Sequence, residues 1–224
     1  MQKKLVVSCS PHLHNKAVSS QRIMLDVIIA LLPTAVAAVW FFGGSALMLM
    51  IVAVISAIAA EYVYQKLTHQ PVTVSDMSSV VTGLLLAFNL PANAPWWLAA
   101  VGSFLAIILI KQLFGGIGQN FMNPALAARA ILMLSWTGLM AANVLPHAGQ
   151  WVAPLAADAV SVATPLTHGA EGFTLWQLFS GDVPGMIGET SKLALLLGGV
   201  YLLIRKVIDW RIPAVYIASV AAVT

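Results

Sequence analysis

Long apolar runs separated by short polar segments are the feature that most constrains this chain. The first run, Ile23 to Phe42, is long enough for a membrane span, which needs about 20 apolar residues. Of the 224 residues, 60% are hydrophobic and 8% are charged, whereas soluble domains carry about 25% charged residues. The sequence therefore predicts an all-α polytopic membrane protein, folded as a transmembrane helix bundle.

Four parts of the chain differ in polarity. Residues 1–22 form a polar N-terminal segment without a signal-peptide core, and 23–139 form a first transmembrane helix group. Residues 140–188 form a long polar loop, and 189–224 begin a second helix group. The last apolar run, 212–224, is too short to cross a bilayer. We therefore expect a chain cut inside a helix and part of an inverted-repeat fold, with broken or re-entrant helices.

Turn and cap residues set the expected helix limits. Gly43-Gly44-Ser45 predicts a tight turn between spans at 23–42 and 46–66. The stretch Val80–Leu90, with the three residues before it, either just crosses the membrane or forms a re-entrant half-helix. Asn123 and Pro124 are suited to begin a helix. Further helices are expected at 96–113, 124–139 and 190–208.

Charged residues are distributed unevenly among the polar segments. The loop 140–188 carries Asp158, Glu171 and Asp182 but no Lys or Arg. Because basic residues favour the cytoplasmic side, we expect this loop outside and the N-terminus inside, provided that the third stretch crosses. A re-entrant third stretch would invert the later assignments. When the third stretch crosses, the basic residues on the inside are Lys3, Lys4, Lys16, Arg22, Lys66, Lys111, Arg205, Lys206 and Arg211.

Few side chains indicate metal binding or nucleic-acid binding. The single cysteine, Cys9, cannot form an internal disulfide, and the five histidines lack regular ligand spacing, so no metal site is expected. The basic residues lie in short clusters rather than in a stripe, which argues against nucleic acid as a partner. Glu61 and Asp76 lie near the ends of apolar runs, so we expect solvated carboxylates, with an ion path as the alternative.

The polar loop contains a hydroxyl-bearing motif, Asp158-Ala159-Val160-Ser161-Val162-Ala163-Thr164-Pro165-Leu166. No Ser-His-Asp spacing and no nearby Lys would activate either hydroxyl, so an attachment point is favoured over a catalyst. The motif resembles the flavin-attachment motif in D subunits of the Rnf electron-transport complex. A similar motif occurs in the related B subunit of the sodium-translocating NADH:quinone reductase. Val162 stands where those motifs commonly have Gly.

Other segments, in the same order along the chain, are also similar to this family. They are Thr82–Ala87 ahead of Pro91 and Pro95-Trp96-Trp97, Lys111–Asn120 followed by Asn123-Pro124-Ala125, and Gly188–Ala194. The short N-terminus with Ser10-Pro11-His12 favours the Rnf branch over the quinone reductase.

The resemblance implies a specific chemistry. In this family the Thr at the position of Thr164 carries FMN through a phosphoester, installed by a flavin transferase outside the cytoplasmic membrane. Asp158 and Ser161 are then recognition residues for the transferase or local turn formers. The resemblance implies a subunit, inactive alone, of a bacterial inner-membrane translocase that relays electrons between NADH and ferredoxin and moves Na⁺ or H⁺. Its implied partners are membrane, cluster-bearing, NADH-binding and flavin-bearing G-type subunits, with membrane lipid around it.

Polar residues outside the loop are candidates for contact with this flavin or with a second, non-covalent flavin such as riboflavin. Asn120 and Asn123, beside a Gly-rich turn, either satisfy freed backbone groups or contact a ring system. Arg129 lies in an apolar run, where an unpaired charge is costly. It would contact a flavin phosphate, pair with an acid such as Glu189, or extend to the membrane interface.

Two functions without redox activity are alternatives to this interpretation. Broken helices with Gly and Asn also suit a solute channel of the urea-channel type. A structural membrane scaffold is the other alternative. Neither alternative predicts a covalently bound flavin, which therefore discriminates between the hypotheses.

Overall fold

The computed structural model describes residues 6–7, 13–14, 19–146, 148–149 and 173–223, and this part of the chain is predominantly helical. Strands β1 (Val6–Val7) and β2 (Leu13–His14) form a short antiparallel ladder. The helices are α1 (Ser20–Leu67), α2 (Ser78–Phe88), α3 (Trp96–Leu105), α4 (Pro124–Ser135), α5 (Thr137–Met140), α6 (Leu175–Ser180), α7 (Lys192–Ile204) and α8 (Arg211–Val223). A 3-10 turn at Val74–Asp76 precedes α2, and a π-helix at Ala106–Gln112 continues α3. The helical class is confirmed, whereas the inverted repeat stays a prediction.

Helix α1 is interrupted at the predicted turn. Gly43 has φ 63° and ψ −146°, a conformation that only glycine adopts at low cost. Val36 and Met50, from the two sides of Gly43, line one apolar cavity of about 440 Å³. In a straight helix these residues would lie about 21 Å apart, so α1 folds back at Gly43 into a first arm (20–42) and a second arm (44–67).

The length and composition of α1 suit a membrane span. Among the described residues, α1 is the one helix of 18 residues or more that is apolar enough to cross a membrane. Shorter apolar helices accompany it at Ser78–Phe88, Trp96–Gln112, Pro124–Ser135, Lys192–Ile204 and Arg211–Val223. Many large apolar side chains on these helices, such as Trp40 and Leu197, are exposed. This pattern is compatible with the predicted membrane protein, whose outer surface faces lipid.

The second arm of α1 and the α3–π segment run in the same direction. The Ser103 hydroxyl donates to the Ala53 carbonyl at 2.9 Å, and the Lys111 ammonium lies 2.7 Å from the Glu61 carboxylate. Both pairs are separated by 50 residues, and a constant separation is the signature of parallel neighbours in register. The chain between these segments must therefore return through the thickness of the bundle before α3 begins.

Helix α2 makes most of that return. Its first residue, Ser78, contacts Lys111 near the end of the π-helix, and Gly83 lies against the backbone of Ala53. The 11 residues of α2 rise only about 16 Å, and the non-helical residues 89–95 complete the return. The geometry favours a crossing third stretch over a re-entrant one.

Helix α7 packs against the first arm of α1. An added Cβ at Gly198 would clash with the Ala30 carbonyl oxygen, so the two backbones are in close contact. Near the end of α7, Tyr201 and Arg205 both donate to Asp26. These contacts pair later residues of α7 with earlier residues of α1, so the two helices are antiparallel.

Small residues let the helices of the core approach closely. Ala46, Ala53 and Ala99 are buried between larger side chains such as Leu86 and Leu132. The segment 183–188, within the stretch predicted as an external loop, is also buried. It pairs with the connection after α2, where the Ile187 amide donates to the Leu90 carbonyl at 3.1 Å.

Two predicted helix limits were wrong. The helix predicted over 124–139 ends at Ser135, because Trp136 leaves the helical region (φ −131°, ψ 54°) before the short α5. Its indole packs edge-on against Trp97, with ring centroids 5.6 Å apart. The span predicted at 190–208 is the shorter α7, whose C-cap is Arg205.

Candidate functional site

The predicted flavin-attachment residues Asp158, Ser161 and Thr164 lie outside the described residues. The attachment therefore stays a prediction. What the structure describes are the two ends of the segment that carries them. At the first end, the Gly149 amide donates to the Trp40 carbonyl at 3.1 Å. At the other, α6 begins with a capping box between Thr174 and Gln177.

Asn123 performs the structural role predicted for it. Its side-chain oxygen accepts from the amides of Ala125 at 3.0 Å and Leu126 at 3.4 Å, and Pro124 occupies the first helical position of α4. These bonds satisfy amides that have no partner within the helix. Asn123 is thus the N-cap of α4, and its oxygen is already engaged.

Asn120 closes the end of the π-helix. With its amide nitrogen turned toward the backbone, it donates to the carbonyls of Gly116 at 3.1 Å, Lys111 at 3.2 Å and Ile110 at 3.2 Å. The intervening turn uses positive φ at Gly115, Gly116 and Gly118. Of the two sequence-based alternatives for Asn120, satisfaction of freed backbone groups is the one that these contacts support.

Arg129 contacts the connection after α2 rather than an acid. Its Nη1 donates to Asn89 Oδ1 at 2.8 Å, and Asn89 donates in turn to the Leu85 carbonyl at 2.8 Å. No acid among the described residues forms an ion pair with Arg129. Glu189, the partner considered from sequence, instead accepts from the Met186 amide at 3.0 Å.

Two polar atoms near this connection lack partners. Arg129 Nε and Asn93 Oδ1 are both buried and have no hydrogen bond within the described part of the chain. Buried polar atoms usually have a hydrogen-bond partner. A bound group that offers an acceptor to Arg129 Nε and a donor to Asn93 Oδ1 would supply the missing partners. An isoalloxazine carries carbonyl acceptors and an imide donor, so the two residues fit a flavin ring in their hydrogen-bonding chemistry.

The expectation of a solvated Glu61 was wrong. Glu61 is fully buried, and its carboxylate accepts from Lys111 Nζ at 2.7 Å and 2.9 Å. Gln112 donates to the same carboxylate at 2.7 Å and Gln65 at 3.3 Å. The ion pair and both amides keep the carboxylate away from solvent, although its position near a helix end suggested exposure. A buried charge is tolerated because it is paired and hydrogen-bonded.

This cluster joins three helical segments. Glu61 and Gln65 lie on the second arm of α1, Lys111 and Gln112 on the π-helix, and Ser78 at the start of α2. Lys111 and Gln112 are adjacent in sequence yet both contact one carboxylate, and π-helical turns are often found at functional sites. The sequence analysis did not predict this cluster. The sequence shows only that a Glu and a Lys lie at the ends of separate apolar runs, and this does not specify that they pair.

Asp76 is partly buried, so it keeps part of the solvent contact expected from the sequence. Its carboxylate accepts from the Ser78 amide at 2.8 Å and from the Ser78 hydroxyl at 2.6 Å. It therefore supports the first turn of α2 and orients the Ser78 hydroxyl. Within the described ranges, no group of three or more His, Cys, Asp or Glu residues is placed to hold a metal ion.

Comparison with known proteins gives the family. The model of the family described as "NQR2, RnfD, RnfE family" matches residues 6–224 of this chain. The D subunit of the Na⁺-translocating ferredoxin:NAD⁺ oxidoreductase complex of Acetobacterium woodii is 51% identical, over 97% of this chain and 68% of that protein. The D subunit of the proton-translocating ferredoxin:NAD⁺ oxidoreductase complex of Clostridium ljungdahlii is 40% identical, over 97% of this chain and 68% of that protein.

A third relative is more distant. The D subunit of the ion-translocating oxidoreductase complex of Citrobacter koseri is 34% identical, over 96% of this chain and 71% of that protein. The family match and the similarity to these relatives both extend over nearly the whole chain. The chain belongs to the NQR2, RnfD, RnfE family.

Proposed function

We propose that this chain is the D subunit of an Rnf-type complex that transfers electrons between NADH and ferredoxin and couples this transfer to Na⁺ or H⁺ movement. The observation that carries the proposal is the 51% identity to the Acetobacterium woodii protein over 97% of the chain. The chain supplies a membrane-embedded helix bundle, and partner subunits supply the NADH site and the iron–sulfur clusters.

The redox group proposed for this subunit is FMN, bound covalently through a phosphoester to Thr164. A flavin transferase installs it, with Asp158 and Ser161 as its recognition residues. The flavin supplies reversible electron transfer, while the protein holds it and sets its surroundings. The sequence motif Asp158–Leu166 supports this assignment.

A second, non-covalent flavin would find its best partners around Arg129. The free Nε of Arg129 and the free Oδ1 of Asn93 offer a donor and an acceptor beside the α2–α3 connection. Asn120 and Asn123 are engaged with backbone groups, so their contribution would be to fix the turn that precedes α4. Arg129 is thus the favoured contact residue of the three.

The proposed orientation in the bacterial inner membrane places the N-terminus in the cytoplasm and Thr164 outside. Lys66 and Lys111 lie towards the ends of parallel segments, and Arg205 follows α7 at the end where α1 begins. Because α1 folds back at Gly43, these basic residues share one end of the bundle. Basic residues concentrate on the cytoplasmic side, which supports this orientation.

Flavin fluorescence in a denaturing gel tests the proposed function. The full complex is produced together with a flavin transferase, and the wild-type band is compared with Thr164→Ala. We expect a fluorescent wild-type band and a dark Thr164→Ala band, because a covalent bond survives denaturation. Thr167→Ala is the matched control, because it makes the same substitution three residues after Thr164. Its band should stay fluorescent. A dark wild-type band beside a fluorescent flavinylated standard would refute the attachment and favour a channel.

A further inference from the structure

A cluster of basic residues lies where α7 ends and α1 begins. The residues of this basic cluster come from the first turn of α1, the end of α7, the turn after it and the start of α8, and they are Arg22, Arg205, Lys206 and Arg211. All four are exposed. The acids beside them are Asp26 and Asp209, so four positive and two negative charges leave a net charge of +2.

The guanidinium of Arg205 is held in place from the protein side. Its Nε donates to Asp26 Oδ1 at 3.2 Å and its Nη2 donates to Asp26 Oδ2 at 3.3 Å, while Tyr201 donates to Oδ1 at 3.0 Å. Asp26 is buried, whereas the Arg205 side chain is 54% exposed. These bonds use two of the five N–H groups of the guanidinium. The oriented side chain keeps donors for a group outside the protein.

Lys206 occupies a backbone position that favours glycine. Its φ is 57°, its amide donates to the Leu203 carbonyl at 3.0 Å, and the Val207 amide donates to the Leu202 carbonyl at 3.0 Å. This is the Schellman pattern of helix ends, in which the left-handed residue is usually Gly. An L side chain adopts this conformation at a cost. The backbone therefore does not explain a lysine here, whereas a role for its charge does.

Apolar side chains surround the basic cluster. Ile204 is 74% exposed and Trp210 is 65% exposed, on either side of Lys206, and large exposed side chains continue along α7 and α8. Tryptophan is enriched where a membrane meets water, and basic residues between helices at the cytoplasmic side bind phospholipid headgroups. A soluble anion would match the charges alone. A phospholipid would match both the charges and the apolar helix surfaces.

We propose that the basic cluster binds the headgroup phosphate of an anionic phospholipid, whose acyl chains lie along α7 and α8. Arg205 and Lys206 contact the phosphate, and Arg22 and Arg211 add to the positive potential. The bound lipid stabilises the packing of α7 against α1 at this end of the bundle. The proposal requires neither the flavin nor electron transfer, so it stands or falls separately from the attachment to Thr164.

Thermal stability with added lipid tests the site. The full complex in a neutral detergent is heated with phosphatidylglycerol, phosphatidylcholine or inorganic phosphate, and the fraction of this subunit that stays soluble is measured. The wild type should melt at a higher temperature with phosphatidylglycerol than with phosphatidylcholine, because a ligand of the folded state stabilises that state. Absence of this gain would overturn the proposal. An equal gain with inorganic phosphate would also overturn it, because the ligand would then be a soluble anion.

Lys206→Gly removes one charge and suits the observed backbone. In phosphatidylcholine it should melt at or above the wild-type temperature, because glycine adopts the left-handed conformation without strain. Its gain from phosphatidylglycerol should be about 2–4 °C smaller than that of the wild type, because one basic residue near anionic lipid contributes about fivefold in affinity. Lys206→Arg keeps the charge and should keep the gain.

Lys66→Gln is the matched control, because it removes an exposed lysine at the same end of the bundle but on the second arm of α1. Its gain from phosphatidylglycerol should equal that of the wild type. A loss as large as that of Lys206→Gly would refute a defined site, because the lipid would then respond to the overall charge of this end. An undiminished gain in Lys206→Gly would show that Lys206 does not contact the headgroup, and the proposal would be wrong.

Discussion

The contact between α7 and the first arm of α1 can be tested with two adjacent glycines. An added Cβ at Gly198 would clash with the Ala30 carbonyl oxygen, whereas an added Cβ at Gly199 would meet nothing within 4 Å. Both residues lie inside α7. Gly198→Ala and Gly199→Ala therefore make the same chemical change on the same helix, once inside the contact and once outside it.

The difference between the two variants isolates the clash. Replacing Gly by Ala inside a helix gains about 0.5–1 kcal/mol in both cases, and this gain cancels in the comparison. At Gly198 the Ala30 oxygen must retreat by about 1 Å to escape a contact that real Cβ atoms do not make. Overpacking of this kind costs about 1–3 kcal/mol. We expect Gly198→Ala to be less stable than Gly199→Ala by that amount.

Thermal unfolding of the full chain in detergent measures this difference. For a domain of this size, 1 kcal/mol shifts the melting temperature by about 2–4 °C, so the variants should differ by about 2–12 °C. Gly199→Ala should melt at or slightly above the wild-type temperature. Equal melting temperatures for the two variants would show that α7 does not approach α1 at Gly198, and the described packing of α7 would be wrong.

Three further substitutions probe contacts of the candidate site and of the α1–α7 packing, each measured by the same thermal unfolding. Asn123→Ala removes the N-cap of α4 and should cost about 1 kcal/mol, whereas the exposed Gln119→Ala should change little. Asn120→Asp should destabilise more than Asn120→Ala, because a carboxylate would face three carbonyl oxygens; the opposite order would contradict the amide orientation. Asp26→Asn weakens the contact with Arg205 and should cause a small loss that high salt abolishes, since Arg205 is 54% exposed.

The features predicted correctly from sequence are those encoded by neighbouring residues. Asn123 followed by Pro124 specifies a helix start, because the cap and the first turn lie next to each other. Gly43 and Gly44 specify a break, because other residues rarely adopt that backbone conformation. The apolar runs specify helices in a membrane, where irregular backbone is costly. Each of these signals is local, so one sequence is sufficient to recognise it.

The features that were missed depend on contacts between distant residues. Glu61 was expected to be solvated because it lies near the end of an apolar run, yet its partner Lys111 is 50 residues away. Which basic residue meets which acid depends on the register of two packed helices. The break at Trp136 is similar, since its indole packs on Trp97 from another helix. Such pairings follow from tertiary packing, which no local pattern encodes.

The register of α1 and α3 also bears on the orientation of the chain in the membrane. The charge pattern predicts that orientation only on the condition that the third apolar stretch crosses. The basic residues fall on one side only if the third stretch crosses, and α2 with its 11 residues is too short to establish this by length. The parallel contacts of Ala53 with Ser103 and of Glu61 with Lys111 require the intervening chain to return through the bundle. A re-entrant α2 that left on its side of entry would instead make α3 antiparallel to the second arm, and the residue separation would then change along the interface. The constant separation therefore supports the crossing on which the proposed external position of Thr164 depends.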